Sequence, residues 1–290
     1  MTFHRAMTTD TVKLTCADGF ALTGTLFSGA GTNGRAVVIA SAMGVPRRFY
    51  APLAQFLADD GFKVLTFDYR GIGDSRGGPV RGADIRMEDW GRLDIECALQ
   101  WAASELKAER LFLVGHSAGG QLAGLAPSTA KLSGLVFAAV SSAYPGHWRM
   151  PAQLGLRWLM HVHAPLVSAG RDFFPPKLGG LSNIAIPAGV TRQWARWARR
   201  PDYLYDPKSG VDVSGFQNIR QPLLAWQFDD DPYAPQSAHD AILAAYPNAR
   251  IERRAIRSRE LGRKVGHFGF FREPSREPFW RETAQWLLKP

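Results

Sequence analysis

The sequence predicts a mostly parallel, doubly wound α/β fold, and three observations carry that expectation. Short apolar runs flanked by turn residues recur along the chain, helix-period segments separate them, and 290 residues suffice to bury a full core. Strands alternating with helices imply crossover connections, and in such sheets ligands sit at the carboxyl ends of the strands.

The elements follow in order. Residues 12–27 hold two strand-like runs around the turn "ADG", which suits an antiparallel hairpin at a sheet edge. The rhythm then changes to "RAVVIAS" at 35–41, "FKVLTFD" at 62–68, "RLFLVGH" at 110–116, "LSGLVFAAV" at 132–140 and "QPLLAWQF" at 221–228, which read as buried parallel strands. Between them lie "FYAPLAQFLADDG", a segment with Trp90, Leu93, Cys97 and Trp101 at helical spacing, and "AGGQLAGLA". "RIERRAI" is the last strand candidate, and "EPSREPFWRETAQWLLKP" closes the chain as an amphipathic helix over the sheet.

Residues 144–220 interrupt this alternation. Rich in Pro, Gly, Trp and Arg, they read as an inserted cap or lid between two core portions, 1–143 and 221–290. The insertion carries ten Lys or Arg against four Asp or Glu, about +6 of the formal +9, beside Trp148, Trp158, Trp194 and Trp197. Those tryptophans suit either a surface layer packed on the sheet or a lid lining a substrate pocket.

Composition narrows the function classes. With 46% hydrophobic and 21% charged residues, wholesale disorder is excluded. The net charge of +9 would suit nucleic acid, anionic lipid or acidic substrates, but no nucleic-acid-binding motif accompanies it. "RIERRAIRSRELGRK", with Glu252 and Glu260 among its bases, reads as a solvated strand and loop. Two cysteines, Cys16 and Cys97, make no disulfide framework and suit a reducing compartment. The start "MTFHRAMTTDTVKL" lacks the apolar core of a secretory signal, and no run is long enough for a membrane span, so a cytoplasmic protein without stable membrane insertion is expected.

The stretch "LFLVGHSAGGQLAG", 111–124, runs an apolar strand into a serine between glycines and then into small, helix-compatible residues. A serine hydroxyl is a weak nucleophile, which a base must activate and a rigid corner must expose. A strand-to-helix turn at Ser117 does both, provided its neighbours at Gly115 and Gly119 are small, and it points a helix N-terminus at the reacting oxygen.

With this corner in its strand context, the sequence resembles the α/β-hydrolase superfamily from about residue 19 to the end. It looks closest to the serine aminopeptidase-like and monoacylglycerol-lipase-like branch. The resemblance implies partners in the order Ser, acid, His. For the acid, "AWQFDDDPYAP" offers Asp229, Asp230 and Asp231. Asp231 stands four residues before Pro235, as in the family's D-x-x-x-P loop; Asp230 is the near alternative, Asp229 reads as strand end, and at least two of the three read as a solvated turn. For the base, "KVGHFGFFR" places His267 in a loop after the last strand candidate. His116 reads as packing under the corner. His161 and His163 form an HxH pair with no further ligand cluster, so no metal is expected, nor any cofactor.

The resemblance further implies two backbone donors for an oxyanion: the amide of Ala118, and one from the loop after "RAVVIA". Relatives carry His-Gly there, whereas this chain has "SAMGVPRRFY"; aligning Ser41 and Ala42 with His-Gly makes Met43 the donor. "FDYRGIGDSRG", 67–77, matches the superfamily's glycine-rich loop and reads as structural, since no phosphate-loop helix with Lys and Ser or Thr follows it. The implied activity is hydrolysis of a small-molecule carboxylic ester. Acyl transfer, thioester or amide cleavage by the same residues, and a non-catalytic binding role, are the alternatives.

Overall fold

The computed structural model describes residues 8–29, 31–176 and 182–289. The first residues of the chain, read above for a leader, and residues 177–181 of the insertion lie outside the described residues. Eight strands form the main sheet: β1 (Thr8–Thr15), β2 (Ala21–Ser28), β3 (Arg35–Ala40), β4 (Lys63–Phe67), β5 (Arg110–His116), β6 (Gly134–Ala138), β9 (Pro222–Phe228) and β10 (Arg250–Ile256). A two-residue pair, β7 (Phe173–Phe174) and β8 (Ile186–Pro187), stands apart within the insertion. The main order is β1-β2-β4-β3-β5-β6-β9-β10, antiparallel at β1–β2 and β2–β4 and parallel elsewhere.

Nine helices among the described residues surround or extend the sheet: α1 (Ala51–Asp59), α2 (Met87–Asp89), α3 (Glu96–Glu105), α4 (Ala118–Leu122), α5 (Ala152–Trp158), α6 (Ala164–Ser168), α7 (Ala188–Ala198), α8 (Gln236–Ala244) and α9 (Arg281–Leu287). Alternate strand residues feed two cores, as a strand's period of two requires. Ala36, Val38 and Ala40 pack with Leu99 and Ala102 of α3 and Ile242 of α8, whereas Val37 and Ile39 pack with Leu53 and Leu57 of α1 and Leu287 of α9. Central strands are therefore apolar on both faces, which is why they read as continuous hydrophobic runs. β10, at the edge, alternates half-buried and exposed residues, and Arg253 and Arg254 pair with Asp240 and Glu282.

Two helices depart locally from the expectations. The helix carrying Trp90 passes from α2 into a π turn over Trp90–Ile95, and winding more slowly there moves Asp94, Ile95, Ala98 and Leu99 into the core while leaving Leu93 and Trp101 half-buried. The carboxy-terminal segment is likewise a 3₁₀ turn and a π turn before α9. The 67–77 loop is braced by charge: Arg70 Nε binds Asp94 at 2.6 Å and Arg70 Nη1 binds Asp18 at 2.7 Å, while Asp68 accepts from the Arg47 amide at 2.7 Å and from its guanidinium.

The insertion leaves β6 and returns at β9, its neighbour in the sheet. Its four tryptophans divide between the two readings. Trp197 is fully buried, Trp194 nearly so, Trp148 is half-buried with Nε1 on the Pro232 carbonyl at 2.8 Å, and Trp158 is exposed.

Candidate active site

β3 is flanked by β4 on one side and β5 on the other, so the chain reverses its winding there and the loops leaving β3 and β5 diverge. Crevices of this kind are where doubly wound sheets bind ligands. Ala40 pairs with Gly115 at the ends of these strands, which sets the Met43 loop beside the Ser117 corner.

Ser117 has φ +48° and ψ −109°, a backbone that L-residues rarely adopt. The corner is possible because its neighbours have no side chains: a Cβ on Gly119 would lie 2.2 Å from the Ala40 carbonyl, and one on Gly115 would lie 2.7 Å from the Gly120 amide. α4 starts at once, with the Gly120 and Gln121 amides on the Ser117 carbonyl. Half-buried, Ser117 lines a cavity of about 760 Å³ together with Ala118, Met43, His267 and Tyr233.

His267, on the same cavity, donates from Nδ1 to Asp231 Oδ2 at 2.8 Å, both residues being buried. Donation at Nδ1 leaves Nε2 as the ring's acceptor. Asp231 is locked by its own loop, because Oδ1 accepts the Tyr233 amide at 2.8 Å. Asp230 does not reach the imidazole. Its carboxylate instead takes the amides of Val265 and Gly266 at 2.8 and 2.9 Å, and it is half-buried. This corrects the expectation that two of the three aspartates are merely solvated: only Asp229 is exposed, and it too is tied, to the Ser258 amide and hydroxyl at 2.8 and 2.7 Å. Charge-assisted bonds to backbone amides hold the loop that carries His267 against the loop that carries Asp231.

Sequence reasoning left a second network unread. His116, fully buried under the corner, contacts the His267 carbonyl through Nε2 at 2.8 Å. A carbonyl only accepts, so Nε2 carries the proton. Burial, and then the His267 ring beside it, hold His116 well below its ordinary pKa, so the ring is neutral and Nδ1 accepts. Tyr50, whose phenol burial pushes up, donates to that Nδ1 at 2.9 Å and accepts the Ala42 amide at 2.8 Å. A one-way chain thus runs from the Met43 loop, through Tyr50 and His116, to the backbone of His267. The "GH" before the serine was the available signal for His116; nothing local marked Tyr50.

Among the described residues, neither the Ala118 nor the Met43 amide is used in a turn or loop hydrogen bond, and both residues face the cavity. The insertion contributes apolar walls through Trp148, Leu156, Leu159, Met160 and Trp194, but none of its described basic residues. Among the described residues the cations lining the cavity are Arg48 and Arg272, and no Asp or Glu lines it. The described residues contain no group of three His, Cys, Asp or Glu disposed to hold a metal, and no helix long and apolar enough to cross a membrane.

Residues 26–277 match the Alpha/beta hydrolase family. The human protein ABHD12B is 36% identical over 80 residues, 28% of this chain, and the chain covers 19% of that relative's length. Among solved structures, the Pyrococcus furiosus esterase Pf2001 superposes with a TM-score of 0.59 at 18% identity, over 97% of this chain and 90% of its own. Est1E from Butyrivibrio proteoclasticus, solved with ferulic acid bound, gives 0.62 at 15%, over 95% and 96%. A thermophilic esterase from Thermogutta terrifontis gives 0.60 at 19%, over 96% and 98%. Identities this low speak to the fold.

Proposed function

The chain belongs to the alpha/beta hydrolase family, and we propose that within it this protein is a serine hydrolase of carboxylic esters. The reading rests on one observation: a buried Asp231–His267 hydrogen bond presents the ring to a cavity that the strained Ser117 corner also lines. In the proposed mechanism His267 Nε2 takes the Ser117 proton as Oγ attacks the ester carbonyl, and Asp231 stabilises the imidazolium that forms. The amides of Ala118 and Met43 hold the developing oxyanion; losing one such donor costs about 3 kcal/mol in the transition state. His267 then returns the proton to the leaving alcohol, and water releases the acyl group by the same steps reversed.

In this reading residues 144–220 act as a cap, since Trp148, Leu156, Leu159, Met160 and Trp194 line the cavity. Arg48 and Arg272, with no acid among the lining residues, favour an acyl or alcohol portion that carries an anionic group. Free Cys16 and Cys97 support a reducing, cytoplasmic setting.

The test is labelling with a fluorophosphonate together with turnover of chromogenic esters of graded length. Ser117→Ala should lose both, with kcat lower by about 10⁴-fold or more, while circular dichroism stays native. Undiminished turnover in that variant refutes the assignment. Labelling without turnover of any ester, or product going to an added alcohol in preference to water, moves the reading to amide, thioester or transfer chemistry.

A further inference from the structure

Eight large hydrophobic side chains are exposed among the described residues, and five of them, Met150, Leu154, Trp158, Val162 and Leu166, recur at every fourth position of one segment. Leu154 to Leu166 lie on a nearly continuous helix, α5, a π turn over Leu159–His163, and α6, and Met150 precedes it in the turn before α5. Pro165 has no amide hydrogen to give to the carbonyl four residues back, and the Ala164 amide reaches instead to Leu159. An i+4 row advances around an α-helix and falls back around a π turn, so the mixture keeps the row on one side.

The opposite side of this helix is apolar as well, with Leu156, Leu159 and Met160 on the cavity that Ser117 lines. A helix apolar on both faces is normally buried on both. Here the outer face, from Leu154 at 55% exposed to Leu166 at 68%, is in solvent.

We propose that this outer face docks on an anionic lipid surface. The charge around it selects that partner: residues 144–171 contain no Asp or Glu, and Arg149, Arg157, His161 and Arg171 are exposed along them. A second feature stands nearby. Arg157, His161 and Arg199, with Tyr144 and Pro145, line a cleft of about 210 Å³ that also contains no acid and is sized for a phosphate head group. The apolar row enters the boundary between head groups and acyl chains, lying in the plane rather than crossing it, and the arginines meet lipid phosphates.

The experiment is flotation of the full chain with phosphatidylcholine vesicles, with and without phosphatidylglycerol, read in the Ser117→Ala background so that binding is separate from turnover. Binding should require phosphatidylglycerol and weaken as salt rises. Leu154→Ser/Trp158→Ser/Leu166→Ser should lower partitioning about tenfold or more while a short soluble ester is still turned over normally by the otherwise wild-type chain. Arg157→Gln should lower it about fivefold. If the triple variant does not fold, Arg157→Gln and the salt dependence carry the test. Equal binding to both vesicle types, no binding, or an unaffected triple variant overturns the proposal. A dimer that the triple variant dissociates, without vesicle binding, assigns the row to a second copy instead. Displacement by inorganic phosphate alone, with the apolar substitutions silent, reduces the cleft to a phosphate site and overturns the lipid assignment.

Discussion

Asp229, Asp230 and Asp231 follow one another after β9, yet each holds a different partner: the Ser258 segment, the amides before His267, and the His267 ring. Their substitutions should therefore separate cleanly in steady-state kinetics. Asp231→Asn should lower kcat by about 10⁴-fold, because the amide favours the wrong tautomer of the histidine. Asp230→Asn should cost about tenfold, since one carbonyl oxygen replaces two charged acceptors and the loop carrying His267 loosens. Asp229→Asn should change kcat less than twofold. A larger loss at Asp230 than at Asp231 would move the acid by one residue. The spacing of Asp231 to Pro235 singled it out only through the family resemblance, with Asp230 as the near alternative. The work of Asp230 was not, because its partners are backbone amides 35 and 36 positions away and amides have no sequence signature.

At the scale of elements, the β5–α4 corner depends on close approach as much as on φ. Gly119→Ala places a methyl against the Ala40 carbonyl of β3, where neither backbone can retreat, and should destabilise by about 3 kcal/mol or more, read as a lower urea midpoint. Tyr50→Phe tests the chain that joins three loops. It leaves the Ala42 amide and His116 Nδ1 without their partner in a buried site, so about 1–3 kcal/mol of stability should go. Because that chain ends on the His267 backbone, kcat should fall about tenfold with KM nearly unchanged. A loss of stability with kcat intact would reduce Tyr50 to packing.

At the scale of the whole molecule, His116 and His239 are both held below their ordinary pKa, chiefly by burial. Above about pH 6.5 these rings are neutral in folded and unfolded chains alike. Below it the unfolded chain takes up protons that the folded one refuses. Stability should therefore fall as pH drops, by about 1.4 kcal/mol per pH unit for each ring, until the folded rings titrate. Urea midpoints measured from pH 7.5 down to 5 check this, and a flat profile contradicts it. The cavity's charge is also a global outcome. Arg48→Gln/Arg272→Gln should raise KM about tenfold for an ester bearing a carboxylate and less than twofold for its neutral counterpart of equal length, a contrast that rising salt should shrink.

The strand and helix alternation and the serine corner were legible in the sequence alone, because apolar period and turn chemistry are local properties; the order Ser, acid, His came only with the family resemblance. The apolar runs at 35–41, 62–68, 110–116, 132–140 and 221–228 correspond to β3, β4, β5, β6 and β9 for that reason. Tertiary structure decided which carboxylate meets the ring, how Tyr50 and His116 connect the loops, and that Arg48 and Arg272, rather than the described basic residues of the insertion, line the cavity. Those outcomes depend on distances between residues far apart in the chain, and such distances exist only once the sheet has brought its strand ends together.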